Sequence, residues 1–267
     1  MKLSYAAQLS PNPIPLSVGT IRKPTLRELS ELTFEKFDLY KIFISNSTNS
    51  FFELIKIDKD NKWNSLSEQD RENFTMYKIL LEDEEIKNTY LEILNYFFIE
   101  DVIFAEGIFI LLSDYDKENF NLNELKEDSI RGVIHEKIFG DVLNVLQQIC
   151  CIETEDTDNT ENIKFKNETA RRYYEKMQKA KKERDKRKKK QSDKNLFLAN
   201  IISAVSNKHP TINPINVWDL NLFQLVDSFK RLQINSSYEI SALHVSVWGD
   251  EKKTFKDSLW YENNYDN

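Results

Sequence analysis

The sequence predicts a mainly α-helical protein that contains one small β-hairpin. Apolar residues recur at helical spacing in several stretches, most clearly over residues 75–99. Two segments have the capping-box pattern, in which a Thr or Ser is followed three residues later by Glu: Thr25–Glu28 and Ser65–Glu68. Only 5 of the 267 residues are glycine, which disfavours an architecture rich in tight turns, such as a β-sandwich.

Residues 1–24 are predicted to form a Pro-rich extended arm. Pro11, Pro13 and Pro15 alternate with other residues, and Pro24 ends the segment. Each proline fixes its own φ and disfavours helix at the residue before it. Such an arm lies against a partner or its own domain, or it is a poorly ordered terminus, and the sequence leaves these readings open.

Residues 25–158 are predicted to form an N-terminal helical domain. Helical spacing runs from residue 25 to residue 44, where Thr33 either interrupts one helix or caps a second. A further short helix is predicted over residues 47–57. Within residues 75–99, the acidic residues Glu82–Glu85 can begin a second helix, because carboxylates are favourable near a helix N-terminus.

The β-hairpin is predicted within the same domain. Residues 102–112 are β-branched and aromatic around the single Gly107. Two strands alone are marginally stable in water, so the hairpin must pack on helices or pair with another segment. Helical spacing then resumes over residues 141–152.

Residues 159–195 are predicted to form an acidic loop and a basic connector helix. The whole chain has a net charge of −7. Residues 164–194 alone carry +10, which leaves −17 on the rest. This block is either a solvated helix or a surface for an acidic partner or nucleic acid. Aromatic residues do not alternate with the basic ones, which disfavours a single-strand nucleic-acid binder.

Residues 196–267 are predicted to form a C-terminal helical module with an aromatic tail. A short helix over 196–205 precedes a Pro-containing break at 209–214, and an amphipathic helix is predicted over 217–233. Exposed aromatic and basic side chains are the usual anchors of protein interfaces. The candidate partner-binding residues are Trp218, Phe223, Trp248, Trp260, Tyr261, Lys186, Arg187, Lys188, Lys189 and Lys190. The same aromatic residues also fit ordinary core packing, and the sequence leaves both readings open.

No catalytic, cofactor or metal site is predicted, and the chain is not expected to be an enzyme. His135, His209 and His244 lack metal-ligand spacing. The adjacent Cys150 and Cys151 are typical of reduced thiols in a packed helix, and they fit a reducing compartment. No apolar run reaches the roughly 18 residues of a membrane span. The sequence therefore predicts a soluble intracellular protein.

Three segments resemble proteins encoded beside the tape-measure gene in tailed phages and prophages of Gram-positive bacteria. They are residues 18–37 (VGTIRKPTLRELSELTFEKF), 200–220 (NIISAVSNKHPTINPINVWDL) and 247–255 (VWGDEKKTF). The resemblance extends over nearly the whole chain and is loosest in the acidic loop and the basic segment. It implies a role in phage morphogenesis, as a tail assembly chaperone or a tail component.

Three functional hypotheses follow. In the first, the chain is a non-enzymatic tail assembly chaperone in the host bacterial cytoplasm, which binds the tape-measure protein or tail tube subunits and can also self-associate. In the second, it is a structural tail or baseplate component that is retained in the virion. In the third, it is a nucleic-acid-binding module that uses the basic segment, and its binding weakens steeply with salt.

Overall fold

The computed structural model describes residues 1–45, 75–113, 129–152, 197–250 and 254–262. In chain order, the helices and strands are α1 (Tyr5–Leu9), β1 (Ile14–Pro15), β2 (Thr20–Ile21), α2 (Leu26–Leu32), α3 (Phe34–Ile44), α4 (Met76–Glu82), α5 (Glu84–Phe97), β3 (Asp101–Ala105), β4 (Ile108–Leu112), β5 (Ile130–Ile134), α6 (Glu136–Ile149), α7 (Leu198–Lys208), a 3₁₀ turn (Val217–Asp219) and α8 (Leu222–Trp248).

The fold is mixed α/β, so the prediction of a mainly α-helical protein with one hairpin is wrong. Helix accounts for 58% and strand for 13% of the described residues. These strands form two antiparallel sheets, a two-stranded β1–β2 pair and a three-stranded β3–β4–β5 sheet. A third strand, β5, pairs with β4 of the hairpin. Its hydrogen bonds satisfy the edge of β4 that a two-stranded hairpin would leave exposed.

The hairpin itself is present, with β3 and β4 joined by a two-residue turn. Ala105 pairs with Ile108, and Glu106 and Gly107 between them have φ values of 51° and 81°. Two successive positive φ angles are typical of the type I′ turn, whose twist matches that of the flanking strands. Gly107 supplies this conformation without steric cost.

Side-chain caps set the helix starts in the N-terminal half. Thr25 and Glu28 form the predicted capping box at the start of α2. Thr33 caps α3, so residues 26–44 form two helices. Asp83 accepts hydrogen bonds from the amides of Glu85 and Ile86, so the acidic cluster begins α5. The helix predicted at 47–57 and the second capping box lie outside the described residues.

The N-terminal 24 residues fold back against the body of their own chain. Leu3, Ile14, Val18 and Ile21 are buried in the core. The Arg22 amide donates to the Phe97 carbonyl (2.8 Å), which ties β2 to the end of α5. This segment therefore contributes both a short helix and a strand pair to the fold.

One hydrophobic core joins the N-terminal and C-terminal described ranges. Its centre is an edge-to-face aromatic group in which Phe139 lies 5.1 Å from both Tyr77 and Tyr90. Leu222 and Leu225 of α8 belong to the same core, and the Leu26 amide donates to the Leu220 carbonyl (2.8 Å). The predicted boundaries at 24/25, 158/159 and 195/196 stay predictions.

Candidate protein-interaction face

Helix α8 is the longest helix of the described residues and begins at a well-formed cap. Asn221 and Gln224 form a reciprocal capping box, with side-chain to backbone distances of 2.9 and 3.0 Å. The helix continues for 27 residues, which at 1.5 Å per residue is about 40 Å. It therefore extends 15 residues beyond Gln233, the end predicted from the sequence.

The first turns of α8 are fixed to the body of the molecule. Leu222 and Leu225 are buried. The buried Asp227 accepts a hydrogen bond from the Tyr5 hydroxyl (3.0 Å), and the Gln224 side-chain amide donates to the Leu9 carbonyl (2.9 Å). Tyr5 and Leu9 both belong to α1, so the two hydrogen bonds join α1 to the first turns of α8. These contacts fix the direction in which α8 leaves the body.

The second half of α8 leaves the core. No residue from Gln233 to Gly249 is buried. Ile240, Leu243 and Val247 are large and apolar, and they are 71%, 66% and 61% exposed. Single exposed apolar side chains are ordinary on protein surfaces, but a contiguous set marks an interaction site.

These exposed residues continue the same side of α8 that is packed in its first half. A helix turns about 100° per residue, so residues at spacings of three and four share a face. Eight residues lie within about 40° of one direction on this basis. They are Leu222, Leu225, Phe229, Leu232, Ser236, Ile240, Leu243 and Val247.

Helix α7 covers this side only as far as Ser236. The Lys208 ammonium at the end of α7 donates to the Ser236 hydroxyl (2.6 Å). An open groove of about 520 Å³ lies between the two helices at this point. Its lining includes Ala204, Phe229 and Leu232. We call the groove and its continuation the α7–α8 face, formed by Ala204, Lys208, Phe229, Leu232, Ser236, Ile240, Leu243 and Val247.

Charge is sparse along this face. Between residues 233 and 248, Glu239 is the only acidic or basic side chain besides His244. Within the described residues, the Lys208 ammonium donates to the Ser236 hydroxyl and pairs with no carboxylate. The face is therefore apolar, with one cation at the groove end.

The chain returns along another side of α8. The Asp250 carboxylate accepts from the amides of Thr254 (3.0 Å) and Phe255 (2.9 Å). The Phe255 ring lies 5.5 Å from that of Tyr238, and the Arg231 guanidinium donates to the Glu262 carbonyl (2.9 Å). Tyr238 is about 160° from the centre of the α7–α8 face. The returning segment reaches that face only at Ile240, which lines a cleft with Phe255 and stays 71% exposed.

The predicted aromatic residues fall into two groups. Phe223 is buried and lies edge-on to Tyr5 at 6.0 Å. The half-buried Trp218 donates from Nε1 to the Pro214 carbonyl (3.0 Å) and packs against the core. Trp248, Trp260 and Tyr261 are exposed.

The three exposed aromatics do not form one cluster. Trp248 lines an open cleft of about 570 Å³ together with His244 and Phe255. The rings of Trp260 and Tyr261 are edge-to-face at 5.0 Å. They directly precede Glu262, whose carbonyl accepts from Arg231 in the first half of α8. Partner binding by these residues stays a prediction. Lys186–Lys190 lie outside the described residues.

Sequence reasoning missed three exposed aliphatic residues of α8. Ile240, Leu243 and Val247 continue the spacing of Phe229 and Leu232. The polar run at 235–237 interrupts the pattern and hides that continuation. Extending the helical spacing across this run is the signal that finds the face.

Two of the three histidines accept backbone hydrogen bonds at helix ends, and both cysteine thiols are desolvated. His135 Nδ1 accepts from the Lys137 amide (3.3 Å) at the start of α6. His209 Nδ1 accepts from the Ile212 amide (3.1 Å) after α7. Burial raises the pKa of the Cys150 thiol, and it raises the pKa of Cys151 to about 12. A thiolate nucleophile is therefore disfavoured at either position near neutral pH.

Two further properties concern metal ions and membranes. The ranges that the structure describes hold no cluster of three or more His, Cys, Asp or Glu side chains placed to bind a metal ion. In those same ranges, no helix combines the length and the apolarity needed to cross a membrane.

Comparison with known proteins gives a family match for part of the chain. The family model of the YomV second domain matches residues 187–265. No curated protein and no solved structure matches the chain. Because YomV is phage-related, the match supports a phage-related origin. All of α7 and α8, and with them the whole α7–α8 face, lie inside the matched region.

Proposed function

We propose that this chain is a non-enzymatic phage tail morphogenesis protein, a tail assembly chaperone that binds the tape-measure protein before the tail tube polymerises. The observation that carries the proposal is the α7–α8 face. It presents uncovered apolar side chains within the region similar to a phage-related domain. The binding takes place in the host bacterial cytoplasm.

Energetics favour a partner for this face. Complete burial of an apolar side chain of this size stabilises a complex by about 1.5–3 kcal/mol relative to exposure. Ile240, Leu243 and Val247 contribute little of this while they face water. The tape-measure protein implied by the family resemblance is long, helical and apolar over much of its length. Such a chain supplies the complementary surface and needs protection before it is packaged in the tube.

The chemistry of the described residues also suits a binding protein. Both cysteine thiols are held protonated by burial, and two of the three histidines accept backbone hydrogen bonds at helix ends. These side chains serve packing and capping. A binding role needs none of them to react.

The test is a pull-down of the tagged full chain from cells that express the complete tail gene set. Quantitative mass spectrometry is applied to the recovered complexes and to purified particles. We expect the tape-measure protein in the complexes and this chain absent from the particles. Fixed stoichiometry in the particles would instead identify a tail or baseplate component and overturn the chaperone proposal.

A further inference from the structure

We propose that the part of the α7–α8 face beyond Ser236 is a docking site for a single amphipathic helix, about 11 residues long over the contact, that carries a carboxylate at the end nearest Lys208. The inference deepens the proposed function, on which it rests, by giving the chemistry of the partner segment. It assigns the partner contact to a groove and stripe rather than to the exposed aromatic residues.

The dimensions of the face set the length of the helix. Ser236, where α7 ends, and Val247 are 11 residues apart on α8, which corresponds to about 17 Å along a helix. A docked helix of the same length has about three turns. It would place apolar residues at spacings of three and four against the face, as helix-in-groove ligands do.

The packing of α7 shows how this side of α8 accepts a helix. In the first half of α8, Leu225 is buried in the core to which α7 contributes Ile202 and Val205, and Phe229 packs against that core. Beyond Ser236, α7 has ended and the same side of α8 is open. A partner helix takes the position along α8 that α7 leaves at Lys208.

Charge complementarity selects the end groups of the partner. The Lys208 ammonium lies at the groove end and contacts a neutral hydroxyl. A carboxylate on the docked helix pairs with it directly. The rest of the face has so little charge that apolar contact supplies most of the affinity, while Lys208 sets the register.

Shape argues for a separate helix and against a second copy of this chain. Phe229 and Leu232 line a recessed groove beside α7, and Ile240, Leu243 and Val247 are the residues of the face that project from α8. In an isologous pair the same patch faces itself. Two recessed grooves cannot fill each other, whereas a single helix enters the groove and follows the stripe.

The test measures binding of a designed peptide to the full chain by fluorescence anisotropy. The probe is a fluorescein-labelled 21-residue helix with leucine at the a and d heptad positions and glutamate in its first and last turns. We expect Leu243→Glu to weaken binding at least tenfold, because it places a charge in the centre of the apolar contact. Unchanged affinity for Leu243→Glu would overturn the proposal.

Asn235→Glu is the matched control on the same helix. Asn235 is exposed and lies about 100° from the centre of the face, so the same charge change is made outside it. We expect binding within twofold of the unsubstituted chain. Circular dichroism of both variants checks that α8 keeps its helical content. Equal weakening by both variants would show a non-specific charge effect and overturn the proposal.

A charge exchange tests Lys208. We expect Lys208→Glu to weaken binding about threefold, in the range of an exposed ion pair. A peptide with lysine in place of the terminal glutamates should restore the affinity. Failure of this exchange would overturn the assigned register. A dimer in light scattering that Leu243→Glu abolishes would make a second copy the occupant.

The same variants separate this inference from the proposed function. Recovery of the tape-measure protein by both the unsubstituted chain and Leu243→Glu would retain the chaperone role and overturn the docking site. Specific peptide binding by a chain that recovers no tape-measure protein would support the docking site and overturn the proposed function.

Discussion

At the scale of single residues, Gly132 shows how closely the N-terminal segment lies on the three-stranded sheet. A Cβ atom at this position would lie 2.2 Å from the Val18 carbonyl oxygen and 2.6 Å from the Val18 Cα. Both are backbone atoms, so neither can move away without displacing the chain. The absence of a side chain at Gly132 is therefore a requirement of this packing.

We expect Gly132→Ala to lower the free energy of unfolding by about 1–3 kcal/mol, the usual cost of overpacking. Gly140→Ala is the matched control, because a Cβ there has no atom within 4 Å. Gly140 lies inside α6, where alanine is favoured over glycine by about 1 kcal/mol, so this variant should be slightly stabilised. Urea unfolding of both variants measures the difference. Equal stability of the two would contradict the close contact at Val18.

At the scale of helices and strands, Tyr77 links α4 to the sheet. Its hydroxyl donates to the Gly107 carbonyl (2.7 Å) and lies 3.3 Å from the Ile134 carbonyl. Burial, with a smaller contribution from Glu136, raises the pKa of Tyr77 to about 12. The neutral phenol is thus the form that the fold stabilises.

Because the pKa of Tyr77 is raised, its contribution to the free energy of unfolding decreases at alkaline pH. A tyrosine whose pKa is higher in the folded state stabilises the fold fully below its unfolded pKa of about 10. The contribution is lost as the pH rises from about 10 to about 12. We expect Tyr77→Phe to cost about 1 kcal/mol near neutral pH, the value of one hydrogen bond.

Urea unfolding at pH 8 and pH 11 compares the variant with the unsubstituted chain. Because burial also raises the pKa of Tyr90 and Tyr96, both proteins should lose stability at pH 11. The loss should be smaller for Tyr77→Phe. An equal loss in the two proteins would contradict the account of this contact.

How far the sequence predicts these elements depends on the local signal in each. The capping box at Thr25 and the hairpin around Gly107 are local patterns, and both are present. Strand β5 is a five-residue segment interrupted by Gly132, and its pairing partner β4 is distant in sequence. Its strand state is fixed by that pairing rather than by local propensity.

The N-terminal arm illustrates the same difference. Prolines at alternate positions favour extended backbone, and Ile14–Pro15 is a strand. The position of the arm depends on contacts with α5 and α8, which no local pattern encodes. The candidate face was missed for a related reason, since its two halves are separated by the polar run at 235–237.

At the scale of the whole molecule, the shared core fixes the α7–α8 face to the rest of the chain. The Leu26 amide donates to the Leu220 carbonyl, and Arg27 pairs with Asp219 at 3.0 Å. Tyr5 reaches Asp227 on α8. The N-terminal half therefore supports the helix that carries the face, and a partner meets a preorganised surface, which lowers the entropy cost of binding.

At this scale, the proposed function places the partner on the α7–α8 face during tail assembly. The most direct measurement is photo-crosslinking in cells that make the complete tail gene set. A benzophenone amino acid is placed at Leu243 in one variant and at Asn235 in another. We expect Leu243 to crosslink to the tape-measure protein and Asn235 to give little or no product. Equal yields at the two positions, or crosslinks from Leu243 only to a second copy of this chain, would contradict the claim.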